Sequence, residues 1–201
     1  MISKIYLATS SPRRIEIVNT LKLPFEIIEP EKVIEEFHDN PIKTVLNNSL
    51  KKAKSVLSKI NSDDIIFSLD TIVELDNKIM GKPRNIEEAK KFLHMLKDKT
   101  HRVITGITIL VDNGNKIYQD IEITKVKFKN LSSEEIDLYV KLENVMDKAG
   151  AYAIQGIGSF FISKIEGDFW NVMGFPLSRI YDLFKSIGIN ILHYMEKNLK
   201  K

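Results

Sequence analysis

Ser10-Ser11-Pro12-Arg13-Arg14 is the first run whose residue types suit phosphate chemistry. It stands between an apolar run and a helix-like segment. A helix start offers unpaired backbone N–H groups and a positive dipole end. Serine hydroxyls add donors, and arginine forks match phosphate oxygens. Together they predict an anion cradle. It is not a Walker loop, because the Gly-Lys-Ser/Thr signature is missing. The same residues also read as a plain serine cap followed by two solvated arginines. Asp70-Thr71 closes the apolar run Ile65–Leu69. A carboxylate there suits a general base on water, or a ligand to a metal that activates it. It reads equally as a polar strand terminus.

Glu35-Glu36 lies in a loop-like segment, and its oxygens are the kind that magnesium or manganese prefers. An exposed acidic pair is the plainer reading. Lys52, Lys82 in Gly81-Lys82-Pro83 and Lys148 in Asp147-Lys148-Ala149-Gly150 carry charge that would neutralise a polyphosphate. In Ala149 to Gly158, small residues allow a ligand close to the backbone, and the Gln155 amide has both donor and acceptor for a base edge. His38, His94, His101 and His193 show no metal-binding spacing and read as structural.

These residues need elements to position them. Ile5–Thr9 and Phe25–Ile28 read as strands, with a helix from Pro12 to about Leu21 between them. Asn40-Pro41 opens a long helix to about Ile60, with apolar residues at helical spacing. Ile65–Leu69 reads as a buried strand ending at Asp70. Thr71–Leu75 and Lys78–Met80 flank an Asp76-Asn77 turn. Asn85 with Glu88 starts a helix through about Lys97. Val103–Val111 and Lys116–Phe128 form a hairpin around Asn113-Gly114. Ser132 with Glu135 caps a helix to about Leu142. Phe160–Ile165 reads as a strand and Pro176–Ile187 as a helix. This order predicts an α/β fold with a mixed sheet. Residues 1–190 read as one domain and 191–201 as a Lys-rich, frayed helical tail.

The composition narrows the function. The chain has 201 residues, 43% of them hydrophobic, enough for a sizeable core. A net charge of +3 is too mild for a dedicated nucleic-acid binder. The absence of cysteine excludes thiolate catalysis and Cys-bound zinc. No signal peptide or membrane span is read, so the expectation is a cytoplasmic protein.

Taken in order, LATSSPRR, SLDTIVELDNKIMGKP, HRVITG, DKAGAYAIQG and GDFWNVMGFPL resemble the motifs of the Maf family of nucleotide pyrophosphatases. The likeness runs from about Ile5 to Ile187. It implies the mixed α/β architecture that Maf proteins share with inosine-triphosphate pyrophosphatases, two lobes around a cleft, and a homodimer. It implies hydrolysis of a nucleoside triphosphate to the monophosphate and pyrophosphate, with a divalent metal, Mg or Mn. Asp70 would be the catalytic carboxylate, and Glu36 would share the metal with it. Lys52, Lys82 and Lys148 would face the phosphates, and Ser10 and Arg14 would belong to their cradle. Arg13, Thr71 and Gln155 match the dTTP/UTP subfamily. The 7-methyl-GTP subfamily, and a regulatory nucleotide-binding role in septum formation, are the alternatives. Leu69 stands where many relatives have alanine, and Phe169 and Trp170 make the GDFWNVMGFPL segment bulkier than usual.

Overall fold

The computed structural model describes residues 4–199. One seven-stranded sheet runs through it, built of β1 (Ile5–Ala8), β2 (Glu26–Ile28), β3 (Ile65–Leu75), β4 (Lys78–Met80), β5 (Thr100–Val111), β6 (Lys116–Phe128) and β7 (Ile162–Glu166). The helices are α1 (Pro12–Thr20), α2 (Pro41–Lys54), α3 (Ile86–Leu96), α4 (Ser133–Leu142), α5 (Phe169–Val172), α6 (Leu177–Ser186) and α7 (Ile191–Leu199). The strand order is β2-β1-β3-β5-β6-β7, with β4 pairing on β3. β1 runs parallel to β2 and β3, and every other pairing is antiparallel. The mixed α/β sheet flanked by helices is therefore as expected.

β3 differs from the expectation. It does not stop at Asp70 but continues unbroken to Leu75, paired with β5 from Ile66 to Glu74. An aspartate disfavours a strand, yet a full-length antiparallel partner outweighs that preference. What does stop is the parallel pairing: β1 leaves β3 at Ala8 opposite Ser68. Asp70 thus lies just beyond the carboxyl end of β1, where open α/β sheets leave a crevice.

The faces of β3 bury different partners. Phe67, Leu69, Val73 and Leu75 belong to the main core, which also takes in Ile17 and Val18 of α1, Leu93 and Leu96 of α3, and Phe184 of α6. Ile66 and Ile72 face α2 through Ala53, Val56 and Val45. α2 lies so close to β5 that a Cβ on Gly106 would come within 2.7 Å of the Val45 carbonyl. Only glycine leaves room for that approach.

The turns and caps follow local chemistry. Asp76 and Asn77 both take positive φ, the mark of a tight hairpin turn. Ser132 and Glu135 complete a reciprocal capping box on α4. α2 ends at Lys54, short of the predicted Ile60, and a 3₁₀ turn at Leu57–Lys59 carries the apolar spacing onward. Gly156–Phe161 is likewise 3₁₀, so β7 begins later than predicted. α7 follows α6 and buries Ile191 in the main core, while residues 200 and 201 of the predicted tail lie outside the described ones.

Candidate active site

A cleft opens at the carboxyl end of β1. Its walls include Ser10 to Arg14 from the β1–α1 junction, Glu35 and Phe37 from the segment before α2, and Lys52 of α2. Asp70 to Val73 of β3 form the floor. Gly81, Lys82, Asp147 and Tyr152 close the far side. Among the described residues no helix is long and apolar enough to cross a membrane.

Asp70 is 4% exposed. Its two oxygens are held separately: Lys52 Nζ donates to Oδ1 at 2.5 Å, and Asn48 Nδ2 donates to Oδ2 at 3.3 Å. Helical spacing explains why both reach it, since positions 48 and 52 are one turn apart on the buried face of α2. Lys52 Nζ also donates to Glu35 Oε1 at 2.8 Å. One ammonium therefore joins two carboxylates. Burial alone would raise the Glu35 pKa, but the charge and hydrogen bond of Lys52, with Lys82 and Arg14 beyond, hold it below the usual carboxylate range.

The two halves of the acidic pair part company. Glu35 lines the cleft, whereas the Glu36 carboxylate turns to Lys51 at 2.5 Å on the outer side. The structure thus brings Glu35, not Glu36, to Asp70. Among the described residues no three acidic or histidine side chains gather into a metal-binding group. Asp70 and Glu35 are nonetheless hard oxygen donors separated only by a cation, so their chemistry fits a divalent ion that takes further oxygens from a substrate and water.

The two arginines also part. Arg14 is buried and spends its fork on the protein: Nε donates to Gly174 O at 2.8 Å, Nη1 to Leu69 O at 2.8 Å and Nη2 to Thr71 Oγ1 at 2.9 Å. Desolvation lowers its pKa to about 10, still charged at neutral pH. Arg13 donates from Nη2 to Asp147 O at 3.3 Å, and its Nε is buried with no hydrogen-bond partner among the described residues. Ser11 caps α1 without a side-chain hydrogen bond, which leaves the helix start open to an anion. Thr71 Oγ1 is shared between Arg14 and Thr105 Oγ1 at 2.8 Å.

Lys82 is exposed on the cleft wall. Lys148 and Gln155 are not among the cleft's lining residues. The Lys148 ammonium is occupied by Asn144 O, by Asp147 Oδ1 at 2.8 Å and by Glu143 at 3.5 Å. Gln155 is half-buried on the segment after Tyr152. Sequence reasoning missed Asn48 and Phe37. The signal for Asn48 was a polar residue on the apolar stripe of α2, three positions after Val45.

A profile described as Maf-like protein matches residues 4–187. The chain belongs to the Maf family. This Maf protein is 44% identical over 184 residues to the dTTP/UTP pyrophosphatase of Thermoanaerobacter sp. (strain X514), covering 90% of this chain and 95% of that one. It is 43% identical over 192 residues to the dTTP/UTP pyrophosphatase of Bacillus cereus (strain Q1), covering 94% and 98%. A solved HAM1 protein from Coxiella burnetii is 15% identical, with a TM-score of 0.46 over 63% of this chain and 73% of that one.

Proposed function

We propose that this Maf protein hydrolyses dTTP and UTP to the monophosphate and pyrophosphate. The observation that carries the chemistry is the continuous Asp70–Lys52–Glu35 contact in a cleft that faces an uncapped helix start. The open N-terminus of α1, Ser10, Arg13, Lys52 and Lys82 bind the triphosphate oxygens. Asp70 orients a water and accepts its proton as the water oxygen bonds to the α phosphorus. The bond from that phosphorus to the bridging oxygen breaks, and pyrophosphate leaves with the electron pair. Asp70 and Glu35 would hold a magnesium or manganese ion, which when bound neutralises triphosphate charge.

Arg14 supports this site from beneath, fixing the β3 backbone at Leu69 and the Thr71 hydroxyl on either side of Asp70. Lys148 acts in the same sense, holding the loop that presents Asp147 to Arg13. For base choice Arg13, Thr71 and Gln155 form the pyrimidine set. The Gln155 amide complements the carbonyl and ring N–H that uracil and thymine share. A cytoplasmic homodimer is part of the same proposal and rests on the family resemblance.

The test is pyrophosphate release from dTTP, UTP, CTP, GTP and 7-methyl-GTP, with and without magnesium or manganese. Metal-dependent turnover of dTTP and UTP above the others is expected. Turnover of 7-methyl-GTP alone would keep the reaction and overturn the base choice. No turnover on any member would overturn the hydrolase reading in favour of a binding role.

A further inference from the structure

The glutamates at 35 and 36 are chemically identical, and their lysine partners, Lys52 and Lys51, are neighbours on α2. Composition cannot choose which one enters the site. Residues 29–38 carry no helix or strand, so no ladder fixes their register. In extended backbone successive side chains point to opposite sides. A half-turn of one peptide would therefore exchange Glu35 for Glu36 and take Phe37 out of the cleft with it.

Two side chains of α2 oppose that exchange: Thr44, whose Oγ1 accepts from the His38 N–H at 2.9 Å, and Asn48, which grips residue 36 itself and, of the two, alone reaches Asp70. Asn48 is fully buried. Its Oδ1 accepts from the Glu36 backbone N–H at 3.0 Å, and its Nδ2 donates to the Glu36 carbonyl at 3.1 Å. A single amide thus grips both polar groups of one residue, as a neighbouring strand would. The remaining Nδ2 hydrogen goes to Asp70 Oδ2 at 3.3 Å. Both Asn48 hydrogens and one acceptor position are used. The clamp holds the backbone of residue 36 inward, so the Glu36 side chain must turn outward. Its flanking side chains, Glu35 and Phe37, then both line the cleft. Phe37 is positioned against Gly81, where an added Cβ would lie 3.0 Å from the ring.

We infer that Asn48 is a positioning residue, whose amide ties the Glu36 peptide to Asp70 and thereby selects Glu35 over Glu36 as the second carboxylate of the site. This rests on the hydrolase reading for its kinetic test and on geometry alone for its structural one. A neutral amide is suited to the task. A carboxylate at 48 would lose both donors and place a charge against Asp70, and an aliphatic residue would leave the Glu36 peptide without its buried partner.

The test is a double-mutant cycle. In the parent protein Glu35→Gln is expected to lower kcat on dTTP roughly 100-fold, the scale for losing one preorganised electrostatic group. Glu36→Gln is expected to lower it less than about 3-fold, as for a surface ion pair. In an Asn48→Leu background the two losses should converge. Asn48→Asp, which keeps shape and the Oδ1 acceptor, serves in the same cycle should the leucine variant not fold. A crystal structure of the Asn48 variant gives the readout that needs no turnover. Residue 35 displaced from Lys52 supports the inference; Glu35 still on Lys52 overturns it. Parent turnover with an undiminished gap between Glu35 and Glu36 would overturn the role of Asn48 alone. A parent protein with no dTTP or UTP turnover would defeat the hydrolase reading and leave the structural arm to decide.

Discussion

The two faces of β3 are buried equally and do different work. Toward α1, α3 and α6 the strand presents Phe67, Leu69, Val73 and Leu75, packed into one apolar cluster. The other face carries the buried polar residues Ser68, Asp70 and Glu74, interleaved with Ile66 and Ile72, which pack against α2. Ser68 Oγ donates to Ser49 O, Asp70 is held by Lys52 and Asn48, and Glu74 pairs with Arg102 at 2.6 Å. Burying polar groups is costly unless each is paired. α2 meets that cost for Ser68 and Asp70, Arg102 of β5 meets it for Glu74, and the result is a carboxylate fixed in a crevice. The comparison teaches that one face of a strand can be given to apolar packing while the other holds paired polar groups between apolar anchors.

Four experiments sharpen that division. Lys52→Met removes the cation between Asp70 and Glu35 on the α2 face. Steady-state kinetics with dTTP should show kcat down by about 100- to 1,000-fold with the fold kept; a cooperative loss of structure instead would mean that the α2 face also carries the fold. Phe67→Ala, on the opposite face, should cost about 3–5 kcal/mol in urea unfolding and leave kcat of the folded fraction near normal.

His101 is the exception on the apolar face. It is buried against Phe128 and Tyr152, and its Nε2 meets the Tyr152 hydroxyl at 2.7 Å. Burial lowers its pKa to about 4 from 6.5. The folded state therefore favours the neutral ring. Its contribution is complete above pH 6.5 and is lost as pH falls from there toward 4, about 3 kcal/mol in all. Melting temperatures across that range should show the loss in the parent and a shallower slope in His101→Phe. Equal slopes would remove His101 as the cause. Gly106→Ala should be the mildest, about 1–3 kcal/mol, through displacement of α2 from β5. Because α2 carries Lys52 and Asn48, kcat should fall along with stability; a stability loss without a kinetic one would show that Lys52 and Asn48 tolerate the shift.

Much of this was legible in the residues. Apolar runs and caps located β1, α1, α3, α4 and the β5–β6 hairpin, because each has a local signal. Asp70, Lys52, Lys82, Ser10 and Arg13 were singled out from the sequence, and all of them line one cleft. What was illegible depended on contacts between distant segments. The continuation of β3 past Asp70 is imposed by β5. The four-residue α5 is too short for a periodic signal. The difference between Glu35 and Glu36 is set by Asn48, whose amide is 12 residues away. Arg14 resembled a phosphate ligand until its fork was seen bound to Gly174, Leu69 and Thr71.

The most direct measurement is pyrophosphate release from dTTP by Asp70→Asn beside the parent, with nucleotide binding followed in the same samples. The predicted result is a fall in kcat of about 100- to 10,000-fold, the range for a lost general base, with dTTP still bound. Turnover at the parent rate in Asp70→Asn would contradict the assignment of Asp70 and, with it, the division of labour across β3.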